Sequence, residues 1–336
     1  MRIALITTGG TIAERTEPGV SAHLSGAELI LSLAGAAGVE VDTIDLFDLP
    51  STYLGFSEMR SITQAALTAL DSGADAVVVT HGTNTLEETA YFVDLVCEPG
   101  LPIVFTAAML PPLAVGYDGH ANLRDAILVA GDPRSRGLGV LVVMAGEVHS
   151  ARDVVKNHSM NLGAFKSPEF GPLGAIDVDR FYLARRPVVL EVLPFPAEEP
   201  LVEGIKCYAG MSDLLIRTAI DHKFAGLVIE TLGSGQVPPA VMPSLREAVR
   251  AGVTVVAVVR GPMGRLLRSH HCKQARVDGD EWDLREAGVI FCDLPGAKAR
   301  VKLQLALSAK LPVDELQHRF EHAMGKFKLT VEQTPF

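Results

Sequence analysis

The sequence has only four cysteines, and their positions fit neither a metal site nor a redox pair. They lie at residues 97, 207, 272 and 292, far apart along the chain. Metal and redox motifs usually bring cysteines within a few residues of one another. We expect no metal and a reduced protein of the cytoplasm, because disulfide frameworks belong to oxidising compartments.

Long apolar runs and an excess of positive charge are also lacking. The chain has 30 basic and 40 acidic residues, a net charge of −10. Nucleic acids and anionic membranes attract clustered lysine and arginine, so neither is an expected partner. No apolar stretch reaches the length of a transmembrane helix. The segment that follows Met1 is expected to form a first strand, not a secretory signal.

The chain does have a large apolar content and a regular alternation of elements. Its 336 residues are 48% hydrophobic, enough for a large core and two domains. Short β-branched runs alternate with helix-period segments, which predicts a mostly parallel sheet flanked by helices. The predicted fold is α/β: a larger N-terminal domain at 1–190, a proline- and glutamate-rich linker at 191–204, and a smaller C-terminal α/β domain at 205–336.

The individual elements can be placed from the same patterns. Strands are predicted at 2–7, 39–46, 76–80, 102–106, 139–144, 204–208, 225–230, 253–259 and 288–292. Helices are predicted at 26–36, 58–71, 85–96, 119–130, 212–221, 239–251, 296–309 and 313–323.

A glycine-rich turn with a hydroxyl follows the first predicted strand. Gly9 and Gly10 let the backbone turn sharply and bring Thr11 close to any ligand at the end of the strand. A threonine hydroxyl becomes a nucleophile only when its proton is withdrawn or the developing oxyanion is held. The alternative is a tight turn in which Thr11 is an ordinary cap.

A second polar loop follows the strand predicted at 76–80. It contains Thr83 and Asn84, and the capping-box spacing of Thr85 and Glu88 places the start of the next helix immediately after it. Small ligands bind at such carboxyl ends of parallel strands, beside the positive ends of helices.

Lys156 is the candidate base for the Thr83 hydroxyl. It follows the strand predicted at 139–144 and a loop, so it could fold back over the sheet edge. A desolvated lysine would have a lowered pKa and could accept the Thr83 proton. The alternative is a solvated surface lysine.

These segments together resemble the bacterial-type L-asparaginase family. The likeness is carried by Thr8–Ala13, Thr80–Ala90, Arg152–Lys156, Phe165–Ser167 and Lys298–Leu307, so it covers essentially the whole chain. The resemblance implies an amidohydrolase of two α/β domains that acts on a small-molecule amide. It also implies a homo-oligomer, usually a tetramer of close dimers with active sites at the dimer interface, and no metal or organic cofactor.

The resemblance also implies roles for individual residues. Thr11 would be the nucleophile that forms an acyl-enzyme, Thr83 the second hydroxyl and Lys156 its base. Gln236 falls where the partner subunit contributes an amide side chain to the neighbouring site. The residues expected around the substrate are Gly10, Phe56, Ser57, Gly82, Asn84 and Gln236.

The chain departs from the family pattern around the substrate. Asn84 stands where the family has an aspartate that binds the substrate ammonium; a charged hydrogen bond of this kind is worth about 1.5–3 kcal/mol. Loss of the carboxylate should weaken recognition of free asparagine and make neutral Lys156 easier to reach. Phe56 aligns with a family serine, which favours a less polar substrate. The loop at 14–24 lacks the tyrosine that supports the nucleophile, although Glu14 could orient Thr11.

These departures leave several interpretations open. They could mark altered specificity, an inactive relative, or an engineered change at position 84. The chain could hydrolyse an amide, or it could be a catalytically impaired ligand-binding or regulatory module. An ammonia-supplying subunit of a tRNA-dependent amidotransferase is disfavoured, because no additional N-terminal domain and no basic face are expected. The run His270-His271-Cys272 could suggest a metal site, but no second cluster supports one.

Overall fold

The structure of the protein is a computed structural model. It describes residues 1–17, 20–31, 39–188, 190–266, 274–275, 281–282 and 284–321. The chain divides into two compact units, unit 1 at Met1–Glu199 and unit 2 at Pro200–Phe336.

Unit 1 is an α/β unit built around one large sheet. Its strands are β1 Arg2–Thr7, β2 Glu14–Glu17, β3 Val20–His23, β4 Glu40–Asp45, β5 Ala76–Thr80, β6 Ile103–Thr106, β7 Val140–Met144, β8 Glu147–Ser150, β9 Val155–Lys156, β10 Phe165–Lys166, β11 Gly174–Asp177 and β12 Arg180–Leu183. Its α-helices are α1 Gly26–Leu31, α2 Phe56–Asp71, α3 Leu86–Val96 and α4 Gly119–Gly131, with short 3-10 helices at Ser51–Tyr53 and Pro133–Ser135.

The strand order of the eight-stranded sheet creates a crevice at one end. The order is β12-β11-β8-β7-β6-β5-β1-β4, and the pairs β4–β1, β1–β5, β5–β6 and β6–β7 are parallel. The chain passes from β1 to β4 on one side and returns to β5 on the other side of β1. Ligands bind at such switch points in open α/β sheets. Thr7 and Thr80 are register partners, so the loops after β1 and β5 leave the sheet at the same level.

Both faces of this sheet are buried. On one face Val77 and Val79 of β5 join a core that includes residues of α2 and α3. On the other face Ala76 and Val78 join a core that includes residues of α1 and α4. Alternation along one strand thus supplies both cores, which explains why β5 is apolar at almost every position.

Unit 2 is a smaller α/β unit. Its strands are β13 Val202–Lys206, β14 Gly226–Thr231, β15 Thr254–Val259, β16 Gln274–Ala275, β17 Glu281–Trp282 and β18 Ile290–Phe291. Its helices are α5 Leu214–Asp221, α6 Val241–Arg250, α7 Gly296–Ser308 and α8 Val313–Glu321. Strands β13, β14, β15 and β18 form a parallel sheet in that order. No helix among the residues described in the two units is long and apolar enough to cross a membrane.

The predicted fold class, a mostly parallel sheet with helices and a further α/β unit, is confirmed. Helix α2 begins at Phe56 and not at residue 58, and β13 begins at Val202, inside the segment predicted as linker. The antiparallel strands β8, β11 and β12 were missed. β11 and β12 are short and alternate between buried and solvent-facing positions, so they give little apolar signal. The helix predicted at 26–36 is described only to Leu31.

Candidate active site

Two glycines from separate loops meet at the carboxyl ends of β1 and β5. Gly10 has φ +80°, and a Cβ added there would overlap the Cα of Gly82 and lie 2.6 Å from its nitrogen. Any side chain at position 10 would therefore force the two loops apart. The loops are also joined through Thr8, whose main-chain N–H and hydroxyl both donate to the Thr80 carbonyl, at 3.2 and 3.0 Å.

Thr11 lies in a tight turn that begins at this contact. The N–H of Ala13 donates to the Gly10 carbonyl at 3.0 Å, and the N–H of Glu14 donates to the Thr11 carbonyl at 3.4 Å. The Ile12 side chain is fully buried in the core beside α4, whereas Thr11 is half-buried. The turn thus anchors its apolar residue inward and leaves the Thr11 hydroxyl partly accessible.

Thr83, Asn84 and Lys156 come together in space. The Lys156 Nζ lies 2.8 Å from the Thr83 hydroxyl oxygen and 3.2 Å from the Asn84 side-chain oxygen. Thr83 is 8% exposed and Asn84 is exposed. An amine and a hydroxyl at this distance share one hydrogen bond, and the amine can accept the hydroxyl proton once it is neutral.

A strand pair and a carboxylate hold Lys156 in this position. Lys156 is the register partner of Phe165 in the antiparallel pair β9–β10. Its main-chain N–H donates to the Glu87 carboxylate at 2.7 Å, and Glu87 lies in the first turn of α3. The helix that follows the second polar loop therefore fixes the backbone of the lysine that contacts that loop.

Burial makes the Lys156 amine easier to deprotonate. Desolvation lowers its pKa from the ordinary value, and the charge of Glu87 opposes this by favouring the ammonium form. The side chain of position 84 is an uncharged amide and does not add a second anion beside Nζ. The arrangement therefore favours a larger neutral fraction of Lys156 than a solvated lysine would have.

His81 is held in the neutral form beside the same loop. Complete burial lowers the pKa of its imidazole to about 4. Its Nδ1 lies 2.7 Å from the Gly82 carbonyl oxygen, which can only accept, so Nδ1 carries the hydrogen. His81 thus stabilises the main chain of Gly82, the glycine that contacts Gly10.

Ser51 belongs to this group and was missed from the sequence. It is 3% exposed, its hydroxyl oxygen accepts from the Asn84 main-chain N–H at 3.2 Å, and a Cβ on Gly82 would come within 2.6 Å of that oxygen. The Thr85 hydroxyl donates to the Ser51 carbonyl at 2.8 Å. Helix α3 begins where the capping-box spacing predicts, but the predicted side-chain cap from Thr85 does not form, because its hydroxyl is used here.

Phe56 and Ser57 make no described contact with this group, and their assignment as substrate-binding residues stays a prediction. Phe56 is 6% exposed and its ring meets Phe92 edge-on, with centroids 5.4 Å apart, in the packing of α2 on α3. The exposed Ser57 donates to the neighbouring Glu58 carboxylate at 2.6 Å. Ser51 is the serine of this region that contacts the loop of Thr83. The burial of Phe56 against Phe92 gives no support to the expectation of a less polar substrate.

Gln236 lies in unit 2, in the turn after β14. Its side-chain oxygen accepts from the Ser234 main-chain N–H at 3.2 Å, and its main chain bridges to Leu232. The cluster His270-His271-Cys272 and the side chains of residues 15–22 lie outside the described residues. Within the described part of the chain, no three histidine, cysteine, aspartate or glutamate side chains form a metal-binding group.

Comparisons with known proteins agree over both units. Residues 2–189 match the family model of the asparaginase N-terminal domain, and residues 201–320 match the glutaminase/asparaginase C-terminal domain. An L-asparaginase of Bacillus licheniformis is 36% identical over 313 residues, which are 92% of this chain and 96% of that protein. A probable periplasmic L-asparaginase of Haemophilus influenzae is 32% identical over 330 residues, 95% of this chain and 92% of that protein.

A solved structure has the same fold. The crystal structure of a probable cytoplasmic L-asparaginase from Campylobacter jejuni superimposes with a TM-score of 0.86 at 27% identity. The match covers 95% of this chain and 99% of that chain. The likeness therefore extends over nearly the whole chain.

Proposed function

The chain belongs to the bacterial-type asparaginase family of amidohydrolases, and from this premise we propose that it hydrolyses the side-chain amide of L-asparagine or a closely related small carboxamide. Relatives of similar length are named L-asparaginase, which supports asparagine as the first substrate to test. The products would be ammonia and the corresponding carboxylic acid.

The observation that carries this proposal is the contact of Lys156 with Thr83. The amine lies 2.8 Å from the hydroxyl, and burial lowers its pKa. The close contact of Gly10 with Gly82 joins the turn that bears Thr11 to the loop that bears Thr83. A lowered lysine pKa is what a general base at neutral pH requires.

In the proposed reaction Thr11 is the nucleophile. Its oxygen adds to the amide carbon, its proton goes to the amide nitrogen, and ammonia leaves as the C–N bond breaks, so that an ester remains on Thr11. Water then adds to the ester carbon and gives its proton to Lys156 through Thr83. Cleavage of the ester releases the acid, and return of the proton restores the Thr11 hydroxyl.

The neutral Asn84 sets the proposed specificity. Its side-chain oxygen can accept a hydrogen bond from a substrate ammonium, but it lacks the charge of the aspartate that the family resemblance implies at this position. A charged hydrogen bond exceeds a neutral one by roughly 1 kcal/mol. We therefore expect hydrolysis of asparagine with a high KM, and a smaller penalty for analogues whose amino group is blocked.

Ammonia release tests this proposal. The purified protein is incubated with L-asparagine, with N-acetylated asparagine and with a lactam analogue, and ammonia is measured by a coupled assay. We expect turnover of at least one amide. We also expect an ester on Thr11, which acid quench would trap and peptide mass spectrometry would locate. Thermal stabilisation by these ligands without any ammonia would instead identify a binding module and overturn the proposal.

Assembly and compartment are parts of the same proposal. A homo-oligomer, a dimer or a dimer of dimers, is proposed because the family resemblance places active sites between subunits. The cytoplasm is proposed as the compartment. The Campylobacter jejuni neighbour is described as cytoplasmic and the Haemophilus influenzae relative as periplasmic, so fractionation of the native host decides between the two.

A further inference from the structure

The turn that bears Thr11 is held from outside by a tyrosine distant in sequence. The hydroxyl of Tyr117 donates to the main-chain carbonyl of Ile12 at 2.6 Å, across 105 positions of sequence. The carbonyls of Gly10 and Thr11 are used inside the turn, by the N–H groups of Ala13 and Glu14. The Ile12 carbonyl instead accepts the hydrogen bond from the phenol. This bond therefore fixes the peptide unit between Ile12 and Ala13, which directly follows the peptide unit between Thr11 and Ile12.

Tyr117 is itself placed by a polar clamp. The carboxylate of the next residue, Asp118, accepts from the main-chain N–H groups of Met109 and Leu110, at 3.0–3.1 Å and 3.0 Å. It also accepts from the Asn122 amide at 3.0 Å, and that amide donates to the Ala107 carbonyl at 3.0 Å. These bonds tie the loop between β6 and α4 to the end of β6, so the position of Tyr117 is set by the sheet.

The phenol ring fills a space that only a glycine leaves open. A Cβ on Gly119 would overlap the hydroxyl end of the Tyr117 ring. Gly119 is the first residue of α4. A glycine is required at this position because any side chain would collide with the Tyr117 ring. On another side the ring meets His120 edge-on, with centroids 4.7 Å apart. The ring therefore has little freedom to swing away from Ile12.

The phenol remains a donor over the working pH range. Burial raises the pKa of Tyr117 above its ordinary value, and the nearby Asp118 carboxylate raises it further. A neutral phenol keeps its O–H, and the Ile12 carbonyl can only accept. The bond therefore persists at every pH at which the lysine of the site is expected to act.

We propose that Tyr117 is a positioning residue for the nucleophile, because its hydroxyl fixes the Ile12 peptide and thereby the orientation of Thr11. The inference rests on the proposed function, in which Thr11 attacks the amide. Tyr117 does not touch Lys156 or Thr83 through any described contact, so its effect is on geometry and not on proton transfer. A displacement of about 1 Å in a reacting group can cost about a hundredfold in rate.

Removal of the single hydroxyl is the test. Tyr117→Phe keeps the ring between Gly119 and His120, and we expect kcat for ammonia release to fall about ten- to a hundredfold, in line with the cost of small misplacements. KM should stay within about twofold, because no substrate contact is lost. The acid limb of the pH profile should not move, because the pKa of Lys156 is untouched. The matched control is Tyr182→Phe, which should leave kcat unchanged. The Tyr182 side chain is half-exposed on the edge strand β12.

The outcomes separate this inference from the proposed function. The inference alone is overturned if the wild-type protein releases ammonia and a folded Tyr117→Phe has a kcat within twofold of the wild-type value. A shifted acid limb in Tyr117→Phe also overturns it, since it would make the phenol part of the proton transfer. A wild-type protein that turns over no amide overturns both. Gly119→Ala, which displaces the ring, should lower kcat in the same direction if the protein remains folded.

Discussion

At the scale of single residues, the charge around Lys156 controls the pH at which the site works. The Asn84 side-chain oxygen lies 3.2 Å from Nζ, so Asn84→Asp would put a carboxylate beside the amine. A neighbouring negative charge favours the ammonium and raises the pKa of Lys156. Because the base acts when neutral, the acid limb of kcat/KM should move to higher pH. Above that limb, kcat/KM for asparagine should rise about fivefold, because a charged hydrogen bond to the substrate ammonium exceeds a neutral one by roughly 1 kcal/mol.

The matched control for this variant is Gln64→Glu. It adds the same charge on an exposed position of α2 and should change neither the acid limb nor kcat/KM. Steady-state rates on asparagine and on N-acetylated asparagine, measured across pH, give both readouts. An unchanged kcat/KM for asparagine with Asp at position 84 would contradict the role assigned to this side chain.

Glu87 has the opposite predicted effect. Its charge raises the pKa of Lys156, against the larger effect of burial. Glu87→Gln keeps an oxygen that can accept the Lys156 main-chain N–H but removes the charge, so the pKa of Lys156 should fall and the acid limb should move to lower pH. Glu88→Gln changes the same charge in the same first turn of α3 and is the control. Equal shifts in the two variants would mean that the helix charge, and not Glu87, acts on Lys156.

Single residues also show where sequence reasoning stops. The pairing of Thr83 with Lys156 could be predicted because both stand in recognisable motifs. Ser51 and Tyr117 could not, because they reach the site through contacts 33 and 105 positions away and their local sequence is unremarkable. The packing of Phe56 against Phe92 could not be predicted either, because the two rings lie on different helices, α2 and α3.

At the scale of elements, the site depends on the contact between the loop after β1 and the loop after β5. Gly10→Ala would place a Cβ against the main chain of Gly82 at φ +80°. Strained backbone and overpacking each cost about 1–3 kcal/mol, so we expect unfolding by urea at clearly lower concentration and a loss of activity. Gly171→Ala has a similar φ of +75° with nothing within 4 Å, so it isolates the backbone strain and should be much milder. Equal destabilisation of the two variants would refute the proposed loop contact.

Elements with a strong periodic signal could be predicted almost to the residue. Strands β1 and β5 have continuous apolar runs, α3 begins after a polar loop, and α4 begins after a loop with two prolines and a glycine. The short strands β8 to β12 could not be found, because two to four residues are too few for a period-2 pattern to stand out. One of them, β9, holds Lys156, so the missed elements include the one that places the proposed base.

At the scale of the whole molecule, the proposal of shared active sites predicts complementation between subunits. If Gln236 serves a neighbouring site, Thr11→Ala and Gln236→Ala should each be nearly inactive alone. Co-refolding the two in equal amounts should restore roughly a quarter of the wild-type rate, because statistical mixing of a dimer leaves one intact site in half of the dimers. Light scattering of the wild type should give a dimer or a tetramer. A monomer with full activity would contradict the shared site.

The nucleophile itself gives the most direct test of the whole account. Thr11→Val replaces the hydroxyl by a methyl group of nearly the same size, and the rate of ammonia release from asparagine is compared with that of the wild type at equal thermal stability. Loss of a nucleophile typically costs several orders of magnitude, so we expect a decrease of about a thousandfold or more. A folded Thr11→Val that keeps its rate within tenfold of the wild type would contradict the account.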